Sequence, residues 1–161
     1  MITGNDGYVT NHMSSRLLTM NRILLAIGAL LTLFLAAFHA TFPWVFQWET
    51  GLSSLSNVNK GIFIKAHLWI ILILVVFAYA SIIAWRDLLL TRLGRILLFS
   101  IGFLWVVRAF TEVACFRLGV DGAWWRVALF AAMTVIYWVP LLNTWYNTLQ
   151  VSNTRSAIHL S

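Results

Sequence analysis

The chain is 161 residues long, 61% hydrophobic and only 10% charged, with a net charge of +6. Such apolarity excludes a water-soluble globule, in which about a quarter of residues are charged, and leaves an integral membrane protein. The eleven basic residues are scattered around the ends of apolar stretches instead of forming one patch. Their charge therefore points to topology and anionic lipid headgroups and away from nucleic acid.

Residues 1–21 form a polar N-terminal segment, and Arg16 and Arg22 resemble the positive flank of a signal sequence. The apolar run behind them, about residues 23–42, is too long for a cleaved signal and lacks a small-residue cleavage site, so an uncleaved anchor is expected. It carries no formal charge apart from His39, which can take up a proton, and has the length of one helical bilayer crossing. Pro43 should stop this first span, because proline has no amide hydrogen and disfavours helical geometry in the residue before it. Trp44, Phe46 and Trp48 follow as an interfacial aromatic belt. The polar stretch from Glu49 to Gly61 is the longest connection, either a plain loop or a short surface helix through Leu52 and Leu55.

Three more apolar stretches, about residues 62–85, 93–116 and 126–146, complete a four-helix transmembrane domain over 22–150, with a mobile tail at 151–161. Their connections carry Arg86, Asp87, Arg92 and Arg95, then Arg117 and Asp121, and leave no room for a soluble domain. Arg16, Arg22, Arg86, Arg92, Arg95 and Arg155 fall on one side of the bilayer, against Lys60, Lys65, Arg117 and Arg126 on the other. Both termini are therefore expected in the cytoplasm. Small residues spaced four apart, Ala36 with Ala40 and Ala128 with Ala132, offer points of close helix approach, and Pro140 offers a kink in the fourth span. Cys115 is the only cysteine, which excludes an internal disulfide and a CxxC metal site, and it reads as a small packing residue.

The informative residues are the few ionisable ones inside the spans. At 1.5 Å of rise per residue, His39 lies roughly 5 Å from the outer end of span one and His67 roughly 8 Å inside span two. On the same ruler Glu112 and Arg108 are roughly 6 Å and 12 Å from the outer end of span three. Four side chains from three helices thus share one leaflet. Arg108 and Glu112, four residues apart, stack on one helix face and should pair, since a lone charge at that depth costs about 3 kcal/mol on insertion scales.

That pair either only ties helices together or binds a ligand, with Arg108 holding an anionic or carbonyl group and Glu112 a proton or cation. His39 and His67 either bond backbone carbonyls or water, or ligate a haem iron from adjacent helices, or contact a quinone or lipid head group. A metal held with Glu112 is disfavoured, because Arg108 competes for the carboxylate. Trp69 and Trp105, set deeper than the interfacial tryptophans, are candidates to wall a pocket for a flat ligand, and Trp105 shares the Arg108 face. No Ser-His-Asp set, HExxH, Walker loop or dinucleotide fingerprint occurs in the sequence, which points away from an ordinary enzyme active site.

The run from His39 to Trp48 (HATFPWVFQW), then Asn59, Ile62, Phe63 and His67, then TRLGR from Thr91 to Arg95 and FLWVVR from Phe103 to Arg108, resembles a group of uncharacterised small bacterial four-span membrane proteins. The resemblance covers most of the chain from Arg22 onward. It implies an all-α, four-helix membrane fold in a bacterium and a shared role for His39, His67 and Arg108, and it carries no activity with it. Two departures are Glu112, where the pattern has a neutral glutamine, and a fourth span with no histidine near its start. Neither departure favours a metal site.

Two functions compete on these grounds. The first is an accessory or structural subunit of a larger complex in the bacterial inner (cytoplasmic) membrane, an energy-transducing one among the candidates, whose partners are lipid and other integral membrane subunits or copies of itself. It rests on aromatic, charge-poor helix surfaces and a scarcity of catalytic groups. The second is a redox protein binding haem or quinone through His39, His67, Trp69, Trp105, Arg108 and Glu112. A small solute carrier ranks below both, because one four-span unit must oligomerise to make alternating halves.

Overall fold

The structure, a computed structural model, describes residues 15–115 and 124–158. Helices in chain order are α1 (Ser15–Ala40), α2 (Phe42–Val45), α3 (Trp48–Gly51), α4 (Asn57–Ile83), α5 (Trp85–Leu90), α6 (Arg92–Cys115) and α7 (Trp124–Ile158). Four of them, α1, α4, α6 and α7, are long and apolar enough to cross a membrane, as expected of a multi-pass membrane protein. No strand occurs among the described residues, and lipid imposes that choice, since a helix satisfies its own backbone hydrogen bonds.

Several boundaries differ from the apolar pattern for local reasons. The first span ends at Ala40, and Pro43 sits in the first turn of the short helix α2, where its missing N–H costs nothing. The polar stretch after it is partly helical. Gln47 joins α2 to α3 in a left-handed conformation, φ 46° and ψ 55°. Span two begins at Asn57 and not near 62, because the Ser56 hydroxyl accepts the Asn59 N–H at 3.3 Å and caps the helix. Thr91 does the same for α6, accepting the Gly94 N–H at 2.9 Å. The fourth helix runs through Pro140 and on to Ile158, past the expected end near 146 and into the segment read as a tail. The third connection with Arg117 and Asp121, the segment before Ser15, residues 159–161 and the side chain of Cys115 lie outside the described residues.

Packing follows a row and not a closed square. The first span packs on α4 and on α7, and α7 packs on α6, so the order across the bundle is α4, α1, α7, α6. Consecutive spans α4 and α6 meet at most at isolated points. The core runs along the middle of the row, with Leu25, Leu35, Leu98, Ile101, Met133 and Tyr137 buried. Close approach uses glycines and not the alanine spacings: Ala40, Ala128 and Ala132 are exposed, whereas Gly28 lies against Ile136 and Tyr137 and Gly102 lies under the Trp138 ring.

Polar groups from the middle of the bundle toward the termini tie three of the spans together. The Tyr137 hydroxyl, fully buried, lies 3.2 Å from Thr32 Oγ1 and 3.4 Å from Ser81 Oγ, joining α7, α1 and α4. Farther toward the termini, Asn143 donates to the Asn21 side-chain carbonyl at 2.9 Å. At that end the guanidinium groups of Arg22 and Arg86 lie 5.4 Å and 5.3 Å from the Trp85 ring, a cation–π pair of contacts linking α1 to α5.

Candidate functional site

The opposite end of the bundle holds ionisable residues that lie inside the spans, His39, His67, Arg108 and Glu112. His39 sits in the last turn of α1 and donates Nδ1–H to its own helix, to the Leu35 carbonyl at 2.8 Å. The last carbonyls of a helix lack intrahelical partners, and one of these is put to use: His67 of α4 donates Nε2–H to the His39 carbonyl oxygen at 2.9 Å. A carbonyl can only accept, so both donor nitrogens carry their hydrogens, and the remaining nitrogens are His39 Nε2 and His67 Nδ1. The rings pack on each other with centroids 5.8 Å apart. Phe42 of α2 lies against both, at 4.5 Å and 5.3 Å, and Trp48 of α3 meets the His67 ring edge-on at 4.7 Å. The chain turn through Pro43 therefore delivers the aromatic rings that pack around the two imidazoles.

Across the gap, Arg108 and Glu112 form the pair their spacing predicts, Nη2 to Oε1 at 2.7 Å. The carboxylate is 1% exposed and has a second partner that spacing along one helix does not reveal: Arg126 of α7 donates Nε–H to Oε2 at 3.0 Å. Two guanidinium groups on one buried carboxylate account for its presence in an apolar bundle, since a buried charge persists only when paired and hydrogen-bonded. Antiparallel geometry holds the clue that was missed, because the start of span four lies at the level of the end of span three. Arg108 itself is 42% exposed and lies over the Phe130 ring at 5.2 Å. Trp105 stacks on the same ring at 5.8 Å. Its Nε1–H is buried and, among the described residues, is the buried side-chain polar atom with no partner, a deficit of about 1–3 kcal/mol.

Where α4 and α6 fail to meet, a cavity of about 420 Å³ opens, within the range of small-molecule sites. Its wall is almost entirely hydrocarbon and aromatic. His39, Phe42, His67, Trp105, Arg108 and Phe130 all line it, so five helices contribute to one space. Of the residues expected at a site, His39, His67, Trp105 and Arg108 are brought together there, and Glu112 stands behind Arg108 as its anchor. Trp69 is the exception and a correction: it is 63% exposed on the far face of α4, beside Lys65, Leu68 and Leu72. It stands two positions after His67, and at 100° per residue that spacing turns it away from the cavity. Phe42, Phe130 and Arg126 complete the site without having been singled out, because their roles depend on which helices become neighbours.

Among the described residues, no three His, Cys, Asp or Glu side chains converge as a metal site would require. Compared with family models, curated proteins and solved structures, the chain matches none.

Proposed function

We propose that this chain is a membrane-embedded binding protein that takes an amphipathic ligand from the lipid phase, head group first, through the gap between α4 and α6. The observation that carries this reading is the placement of Arg108 and two imidazoles in one otherwise apolar cavity. An apolar pocket with a few convergent polar groups is the usual form of a small-molecule site: the hydrocarbon wall supplies most of the binding energy and the polar groups fix orientation. Because its open side faces acyl chains, the ligand need never cross water.

The distribution of basic residues supports an orientation with the termini inside, which puts the cavity in the outer leaflet, and the resemblance to small bacterial four-span proteins supports a setting in a bacterial inner membrane. An accessory role in a larger complex rests only on exposed apolar helix faces, which lipid covers equally well. The polar groups in the cavity favour ligand binding. Haem is less well supported than a head-group ligand: the two imidazoles stack on each other with centroids 5.8 Å apart and Phe42 packs against both, which leaves no slot between them for a macrocycle.

The test is purification in mild detergent followed by solvent extraction and mass spectrometry. An apolar small molecule should co-purify, and Leu104→Trp, which fills the cavity, should abolish its retention without changing helix content. A Soret band in the visible spectrum, lost in both His39→Ala and His67→Ala, would transfer the site to haem. A protein that retains no lipid-phase molecule, or retains it equally in Leu104→Trp, overturns the proposal.

A further inference from the structure

The polar groups in the cavity are specific about the head group they fit. Arg108 already shares the Glu112 carboxylate, 2.7 Å away and buried, yet engages it through Nη2 while its exposed side faces the cavity. Arg126 shares that carboxylate, so the cluster keeps one net positive charge, yet a second anion on the Arg108 guanidinium would stand close to the existing carboxylate. It would also confront the lone pairs of His39 Nε2 and His67 Nδ1, the nitrogens left bare once each neutral ring has spent its one N–H on a carbonyl. A neutral carbonyl oxygen meets neither objection. It needs only an N–H, and Arg108 offers several; the Trp105 ring, one helical turn away on the same wall, gives a flat head a surface to lie against.

The imidazoles supply the complement. A bare ring nitrogen accepts from a hydroxyl, so the cavity presents donors from α6 and acceptors from α1 and α4. Aromatic rings come from both sides as well, Trp105 and Phe130 from α6 and α7 and Phe42 from α2, which suits a flat head. We infer that the ligand is an isoprenoid-type quinone or its quinol, the ring carrying oxygens that accept from Arg108 as carbonyls and donate to His39 or His67 as hydroxyls, with the hydrocarbon tail leaving between α4 and α6. This rests on the cavity being a ligand site and adds the class of ligand.

The experiment uses the full chain in detergent with three probes: a decyl-substituted benzoquinone, its quinol, and dioleoylphosphatidylglycerol. Retention of each on the protein through a desalting column gives relative affinity. Both ring compounds should be retained, and phosphatidylglycerol should not displace them. The neutral double variant Arg108→Gln/Glu112→Gln should bind the quinone at least tenfold more weakly. His39→Phe, which keeps the carbonyl used by His67, should weaken the quinol several-fold more than the quinone. Should the double variant lose its helix content, His39→Phe and Leu104→Trp still decide. Retention of phosphatidylglycerol in place of the ring compounds overturns the quinone assignment and leaves the cavity as a binding site. Retention of none of the three, together with no co-purified molecule sensitive to Leu104→Trp, overturns both.

Discussion

Arg126 of α7 donates to the Glu112 carboxylate of α6 at 3.0 Å, and this bond makes a buried acid a joint between two spans. Removing one partner of a buried ion pair costs about 3–5 kcal/mol, because the survivor is left unpaired in apolar surroundings. Glu112→Ala strands two guanidinium groups and should lower thermal stability in detergent more than Arg126→Ala, which leaves the carboxylate with Arg108. Melting temperatures in both variants equal to that of the unsubstituted protein would show that the joint contributes nothing to helix association.

The two histidines should respond differently to alanine. The bond between α1 and α4 runs from the His67 ring to the backbone of residue 39, so His39→Ala preserves its acceptor and His67→Ala abolishes its donor. A lost intramolecular hydrogen bond is worth about 0.5–1.5 kcal/mol. His67→Ala is therefore expected to unfold at lower denaturant than His39→Ala, and the reverse order would contradict the inter-span bond.

Gly102 admits the Trp138 ring where a side chain would collide with it. Gly102→Ala should destabilise the α6–α7 pair by about 1–3 kcal/mol, the range for overpacking a tight contact. The clash is with one ring, so adding Trp138→Ala should recover part of the loss. A double variant no better than Gly102→Ala alone would place the strain elsewhere.

Tyr137→Phe is the mild counterpart. Thr32 also donates to the Gly28 carbonyl at 2.7 Å and Ser81 to the Phe77 carbonyl at 2.8 Å, so both keep a partner when the phenol oxygen is removed. The change should cost less than about 1 kcal/mol, within the span of one net hydrogen bond. A larger drop in stability would mean that the hydroxyl cluster joining three helices acts as a unit.

The four spans were legible because the bilayer demands one property over some twenty consecutive residues, and composition displays it directly. The Arg108–Glu112 pair was legible for a similar reason, since a spacing of four along a helix is local geometry. The membership of Trp69 was misjudged where depth was read without the face of the helix, and Arg126, Phe42 and Phe130 were missed where a partner lies on another span.

What the sequence by itself determined, then, is an all-helical chain with four apolar helices and ionisable side chains gathered near one level. Only the tertiary structure decided that α1 and α7 occupy the middle of the row, that α4 and α6 part, and that Arg108 and the imidazoles face the space between them. The physical reason is that lipid is as apolar as the helix surfaces and gives no hydrophobic preference for one neighbour over another. Helix order rests instead on close contacts and on individual polar bonds, such as Gly28 against Tyr137, Gly102 beneath Trp138 and Glu112 with Arg126. Those pairings join residues far apart in the chain, and no periodicity within a single helix encodes them.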